Sequence, residues 1–207
     1  MINPATTALL LVDLQNDFVH PEGALGRVRA AFDVSGIMPA LTRAVQATRD
    51  AGALVVSLHY TAPIGRGGKS MFRPDFKAAV PILRDGDFGP GTFGHKLIDE
   101  LAPSDLAVEK VFPSAFAQSR LQLELELNGI DTVVLAGITT NVGVAATFHD
   151  ARRLGFRTLV LADCCAARGE GVHEGTIRSL KAAAYHEATA LTSEEFIAAL
   201  TPQAAEA

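Results

Sequence analysis

Three points in this 207-residue chain could move protons or leave room for a reaction. Asp13 follows the apolar run Thr7–Val12 (TALLLV), and Lys110 follows the short run Asp105–Val108. Gly143 follows the β-branched run Thr132–Ala136 by way of Gly137-Ile138-Thr139-Thr140-Asn141. A carboxylate at the end of a buried strand is half-desolvated and can be tuned as a general acid or base; the alternative is that Asp13 caps or braces the following loop. A lysine beside it in a partly dry crevice would couple the two proton affinities, an acid/base device. Gly143 falls in the first turn of a predicted helix, where glycine costs roughly 1 kcal/mol relative to alanine. Its presence there needs either close helix-to-strand packing or the approach of ligand or solvent.

These residues depend on the elements that deliver them. The runs ending at Val12 and Ala136 are short and lack alternation, which suits parallel strands buried on both faces. Strand ends of one sense open onto the same face of a parallel sheet, so Asp13, Lys110 and the turn before Gly143 can meet there. A strand feeding a helix also places unpaired N–H groups at that edge, a place for an anion. The other predicted elements are a helix within Val34–Ala51 ended by Gly52, a strand Ala53–Leu58 and a short helix around Pro74–Leu83. A helical turn at Gly94–Leu101 follows. Ser114 is read as the cap of an amphipathic helix with Phe116, Leu123 and Leu127 on its inner face, closed by Asn128-Gly129. The helix after Gly143 stops at Gly155; then come strand Thr158–Leu161, a loop DCCAARGEG, helix His173–Tyr185, strand Glu187–Leu191 and a last helix Ser193–Leu200 capped by Ser193. An alanine-rich tail after Pro202 is expected to fray. His59, just past its strand, contacts substrate or braces the loop. The irregular stretch Ile64–Pro90 reads as a lid or binding loop whose Arg66, Lys69 and Arg73 attract an acidic substrate or remain solvated. The whole is an α/β fold, a three-layer sandwich with a mostly parallel central sheet and helices on both faces, in one domain over 1–207.

Composition narrows the partners. With 48% hydrophobic and 20% charged residues the chain can bury a full core, and its 18 basic against 23 acidic residues give a formal charge of −5. No Lys/Arg run stands out, which argues against nucleic acid or an anionic membrane and for a small-molecule partner. No apolar segment reaches the roughly 18–20 residues needed to span a bilayer, and the first residues read as a strand rather than a targeting signal. Cys164 and Cys165 are sequence neighbours, badly placed for an ordinary disulfide, in keeping with a reducing cytoplasm. Close ligand spacing is missing around His59, so no metal or other cofactor is expected.

DLQNDF at Asp13–Phe18, the strand-end lysine of EKVFPSAF, and GITTNVGVAATFHDA followed by DCCAAR and His173 stand in an order that resembles the isochorismatase-like hydrolases. That superfamily includes nicotinamidases, N-carbamoylsarcosine amidohydrolases and isochorismatases, and the resemblance covers Thr7–Leu191. In the amidohydrolase members Asp, Lys and a nucleophilic Cys form a triad; carried over, these fall on Asp13, Lys110 and Gly143, so the thiolate is missing. Neither Thr139, Thr140 nor Asn141 replaces it. The isochorismatases similarly carry Gly there, their Asp protonating an enol ether to give an oxocarbenium ion that water captures. The resemblance therefore implies a hydrolase of a small anionic molecule with Asp13 as general acid and Lys110 tuning it. Substrate contacts would come from Phe18, His59, Phe116 and the Thr139, Thr140, Asn141, Val142 stretch. It also implies a cis peptide at Ile138-Thr139 and a homo-oligomer, dimer or tetramer. Isochorismatases tend to show a His where this chain has Thr140-Asn141, which leaves the substrate open. A metabolite-binding homologue without turnover, and an amidohydrolase using Asp-activated water, are the other readings.

Overall fold

The computed structural model describes residues 1–183 and 189–200. Six parallel strands form one sheet in the order β3-β2-β1-β4-β5-β6: β1 (Thr7–Val12), β2 (Leu54–Tyr60), β3 (Leu106–Lys110), β4 (Thr132–Ile138), β5 (Arg157–Ala166) and β6 (Ala190–Leu191). The chain builds outward from β1 to β3 on one side, then returns to the other side of β1 with β4. The resulting switch point, between the carboxyl ends of β1 and β4, is where open α/β sheets leave a crevice for ligands.

Both faces of the sheet are covered, as the unbroken apolar runs require. Along β1, Leu9 and Leu11 point into one core cluster while Ala8, Leu10 and Val12 point into the other. The first face is covered by α2 (Met38–Asp50) through Leu41, Ala44 and Val45 and by α7 (Ser193–Ala199) through Phe196, with Phe18 of the single-turn α1 (Asn16–Val19) and Phe76 of α3 (Pro74–Ala79) nearer the site. The second face is covered by α4 (Leu121–Leu127), α5 (Ala145–Arg153) and α6 (Val172–Ala182).

Several expected boundaries move. β2 runs two residues beyond Leu58, so His59 and Tyr60 lie inside the strand; β3 spans Leu106–Lys110. Residues 163–166, read as loop, are the last part of β5. Ser114 caps no helix: α4 begins at Leu121, with Leu121 and Leu125 turned inward, while Leu123 is 57% and Leu127 77% exposed. Two leucine pairs with the same four-residue spacing compete for the inward face, and the later helix start decides between them. The cap of α7 is Thr192, which with Glu195 forms a reciprocal capping box; Ser193 is buried and donates to Asp163 instead. The end of the predicted α6 at Tyr185, the start of the predicted β6 at Glu187 and the tail after Pro202 lie outside the described residues.

Candidate active site

At the end of β1 the backbone of Asp13 turns into the left-handed region, φ 55°. A non-glycine residue there costs of order 1–3 kcal/mol, though Asp tolerates it better than most. The turn is held by the Asp13 N–H donating to Leu58 O at 3.0 Å. Its carboxylate is fixed from two sides: the Tyr60 N–H donates to Oδ1 at 3.2 Å, and Lys110 Nζ donates to Oδ2 at 2.8 Å. Lys110 ends β3, is 3% exposed, and also donates to Phe112 O at 3.3 Å and Pro113 O at 3.4 Å. The ammonium is thus met by three oxygens. Burial pushes the Asp13 carboxyl above the usual carboxylate range, against the charge and hydrogen bond of Lys110 and the Tyr60 N–H.

β4 brings the second half. Gly137 has φ 119°, and a Cβ on it would sit 2.3 Å from Val12 O, so only glycine lets β4 approach β1 here. The Ile138–Thr139 peptide is cis. Thr140–Val144 then form one wide π-type turn before α5, with the Val144 N–H reaching back to Thr139 O at 3.2 Å. Gly143 is buried in that turn. A Cβ built on it would lie 3.1 Å from Asp13 Oδ2, 3.0 Å from Val12 Cγ1 and 3.2 Å from Ile138 O. Any side chain at 143 would start against the Asp13 carboxylate.

Above these residues opens a cavity of about 570 Å³ lined by Asp13, Lys110, Gly143, Thr139, Asn141, Val142 and Phe18, among others. Its wall is mainly apolar, with Phe32, Tyr60, Phe76, Val80 and Phe112 joining Phe18. Two arginines stand at it, each lying on an aromatic ring. The Arg73 guanidinium is 4.7 Å from the Phe112 centroid and donates to Asp75 through Nε and Nη2; that of Arg168 is 4.1 Å from the Phe32 centroid and donates to Ala30 O. Asp17 ties down the surrounding loops, accepting from the Ala24 N–H at 2.8 Å and the Phe88 N–H at 2.6 Å.

Three residues expected at the site do not line this cavity. His59 is buried: its Nδ1 faces His95 O at 2.8 Å and its Nε2 faces the Ser57 hydroxyl at 2.8 Å. A carbonyl only accepts, so Nδ1 carries the proton and the ring braces strand to loop. Phe116 stacks on Phe156 with centroids 5.6 Å apart, on the far face of the sheet. Thr140 is fully buried and its hydroxyl meets His173 Nδ1 at 2.9 Å, because the wide turn rolls its side chain toward α6. Cys164 and Cys165 are also apart from the cavity; burial pushes both thiols up, that of Cys165 to about 12, so neither offers a thiolate. Among the lining residues that the sequence reading leaves out are Tyr60 and Arg168, with Phe32, Phe76 and Phe112 beside them. The first was hidden by ending β2 at Leu58, the second by reading 163–166 as loop. Among the described residues no three His, Cys, Asp or Glu side chains are grouped to share a metal ion, and no helix is long and apolar enough to cross a membrane.

The family described as the Isochorismatase domain matches residues 7–195. A ureidoacrylate amidohydrolase RutB of Methylobacterium radiotolerans is 31% identical over 87% of this chain and 75% of its own length. The protein of that name from Stutzerimonas stutzeri is 34% identical over 76% of this chain and 68% of its own. Among solved structures, a cysteine hydrolase from Pseudomonas syringae pv. phaseolicola superposes with a TM-score of 0.79 at 26% identity, covering 96% of this chain and 94% of that one. N-carbamoylsarcosine amidase from Thermoplasma acidophilum gives 0.68 at 27% identity, covering 91% and 97%.

Proposed function

This chain belongs to the isochorismatase-like hydrolase family, and on that premise we propose that it hydrolyses a small anionic molecule by Asp13 acid chemistry with direct attack of water. The observation that carries the reading is the relation of Gly143 to Asp13: the place where a nucleophile would meet the carboxylate holds no side chain. Chemistry here starts from a proton, not from a covalent adduct. On an enol ether, Asp13 gives its proton to the terminal carbon of the double bond, leaving an oxocarbenium ion. Water adds to that cation and returns a proton to Asp13, and the resulting hemiketal collapses to a ketone and an alcohol. Burial favours the protonated acid, and the Lys110 ammonium stabilises the carboxylate left behind. Thr139, Asn141 and Val142 would contact the substrate from the β4 side, and Phe18 from the aromatic wall.

A second reading is favoured by relatives above 30% identity that bear the name ureidoacrylate amidohydrolase. In it Asp13, as carboxylate, activates water against an amide carbonyl at the same spot. Turnover of isochorismate, ureidoacrylate and nicotinamide by the wild type and by Asp13→Asn tests both. Isochorismate hydrolysis lost in the variant supports the acid reading; hydrolysis of an amide alone supports the second. No turnover of any of the three turns the balance to a metabolite-binding homologue.

A further inference from the structure

Residues 25–32 and 76–82 line the cavity with apolar side chains alone, among them Leu25, Val28 and Phe32 from the first stretch and Phe76, Val80 and Ile82 from the second. Arg27 and Lys77, which lie in the same stretches, are engaged elsewhere, with Asp87 at 2.8 Å and with Leu83 O. Among the described residues, charge enters the lining at Asp13 and Lys110 on the floor and at Arg73, Asp75 and Arg168; Arg73 and Asp75 offset one another at 2.7 Å. Val28 is 41% and Ile82 37% exposed in the free protein. Single exposed apolar residues are ordinary, but apolar side chains gathered round one hollow mark a surface that a ligand covers. Volume points the same way. About 570 Å³ falls in the range of about 300–1,000 Å³ that encloses drug-sized ligands, and a one-ring molecule such as nicotinamide, placed over Asp13, would leave much of this wall to water.

We propose that this wall is a subsite for an alkyl or aryl group of the substrate, which makes the substrate an amphiphilic anion. This rests on the hydrolytic reading for which end reacts, and adds what the other end is. The group to be cleaved lies over Asp13 and Gly143, and the apolar group lies along Phe32, Phe76, Val80 and Ile82, displacing water. One cavity joins floor and wall, so a single molecule reaches both. Each methylene moved from water onto such a wall tightens binding about fourfold. A polar group of the same size would give up its water and find no side-chain partner in either stretch. Selection by the wall is therefore for apolar length.

Hexanoate, octanoate and decanoate are the probes, titrated calorimetrically into the wild type and into the double variant Val28→Asp, Ile82→Asp, with thermal unfolding of both proteins. These carboxylates hold no bond that either hydrolytic reading breaks. The expected result is an affinity that rises about fourfold per methylene in the wild type. In the variant, whose new carboxylates stand where the chain would lie, the rise should fall below about twofold per methylene. No binding to the wild type, or equal affinity along the series, overturns the proposal whatever becomes of the variant. So does an undiminished rise in a folded variant, since the chains would then lie elsewhere, as on the exposed Leu123 and Leu127. If the double aspartate variant does not fold, Val28→Ser, Ile82→Ser takes its place with the same expectation. Absence of turnover defeats the hydrolytic reading alone, and turnover of isochorismate with no rise along the series defeats this proposal alone.

Discussion

Lys110 Nζ lies 2.8 Å from Asp13 Oδ2 although the residues are 97 positions apart and β2 separates their strands. The lysine crosses an intervening strand end to reach the acid, and the carbonyls of Phe112 and Pro113 hold it there. Asp13 is thereby caught between opposed influences: burial favours its neutral form and Lys110 its charged form, with burial prevailing.

The pH profile follows from that balance. As general acid, Asp13 must be protonated in the free enzyme, so kcat/KM should be level at low pH and fall about tenfold per pH unit above its raised pKa. As a base activating water it would give the opposite limb, rising through the same pKa. A kcat/KM profile on whichever substrate is turned over separates the two.

Lys110→Met should destabilise the fold in a pH-dependent way. Without the ammonium, nothing of comparable size opposes burial, and the folded pKa of Asp13 climbs further above its unfolded value. A carboxyl raised on folding contributes stability that is whole below the unfolded pKa of about 3.9 and is lost as pH rises through the folded pKa. The penalty should be small in acid and reach about 3–5 kcal/mol near neutrality. Urea unfolding at several pH values measures it, and a difference independent of pH would refute the argument.

Gly143→Ala should cost both stability and turnover. The new Cβ meets Val12 Cγ1, Asp13 Oδ2 and Ile138 O at 3.0, 3.1 and 3.2 Å, and the carbonyl, being backbone, gives way least. Overpacking of this kind costs about 1–3 kcal/mol. Gly143→Cys meets the same crowding, so incubation with nicotinamide should leave its intact mass unchanged; an acyl-enzyme adduct in the mass spectrum would show that the site is still shaped for a thiol.

His59 and His95 predict weakening in mild acid. Burial lowers both imidazole pKa values, so the unfolded chain takes up protons first as pH falls. Their contribution is whole above the unfolded pKa of about 6.5 and is lost as pH falls below it. His59→Gln should show a shallower fall of the urea midpoint between about pH 7 and pH 5 than the wild type.

How far the sequence disclosed this arrangement depends on the kind of signal. The Asp13–Lys110 pair was legible because unbroken apolar runs mark buried parallel strands, and the two residues stand at strand ends. The inward face of α4 was not, since Leu121/Leu125 and Leu123/Leu127 share one spacing and only the helix start tells them apart. Leu125→Ala should therefore cost about 2–5 kcal/mol and Leu127→Ala less than about 0.5, read from urea unfolding. Tyr60 and Arg168 escaped because strand ends are set by ladder partners elsewhere: Tyr60 pairs with Lys110 and Ala166 with Ile138, and no local pattern encodes either.

The cavity mouth is built from contributions far apart in sequence. Arg73 rests on Phe112 and Arg168 on Phe32, so four separate stretches of chain meet there in two clasps. Each clasp joins a cation on one stretch to a ring on another. The rim is therefore assembled from loop contacts that the strand ladder does not set, and on the Phe112 side it shares a residue with the bonds that hold Lys110 beneath.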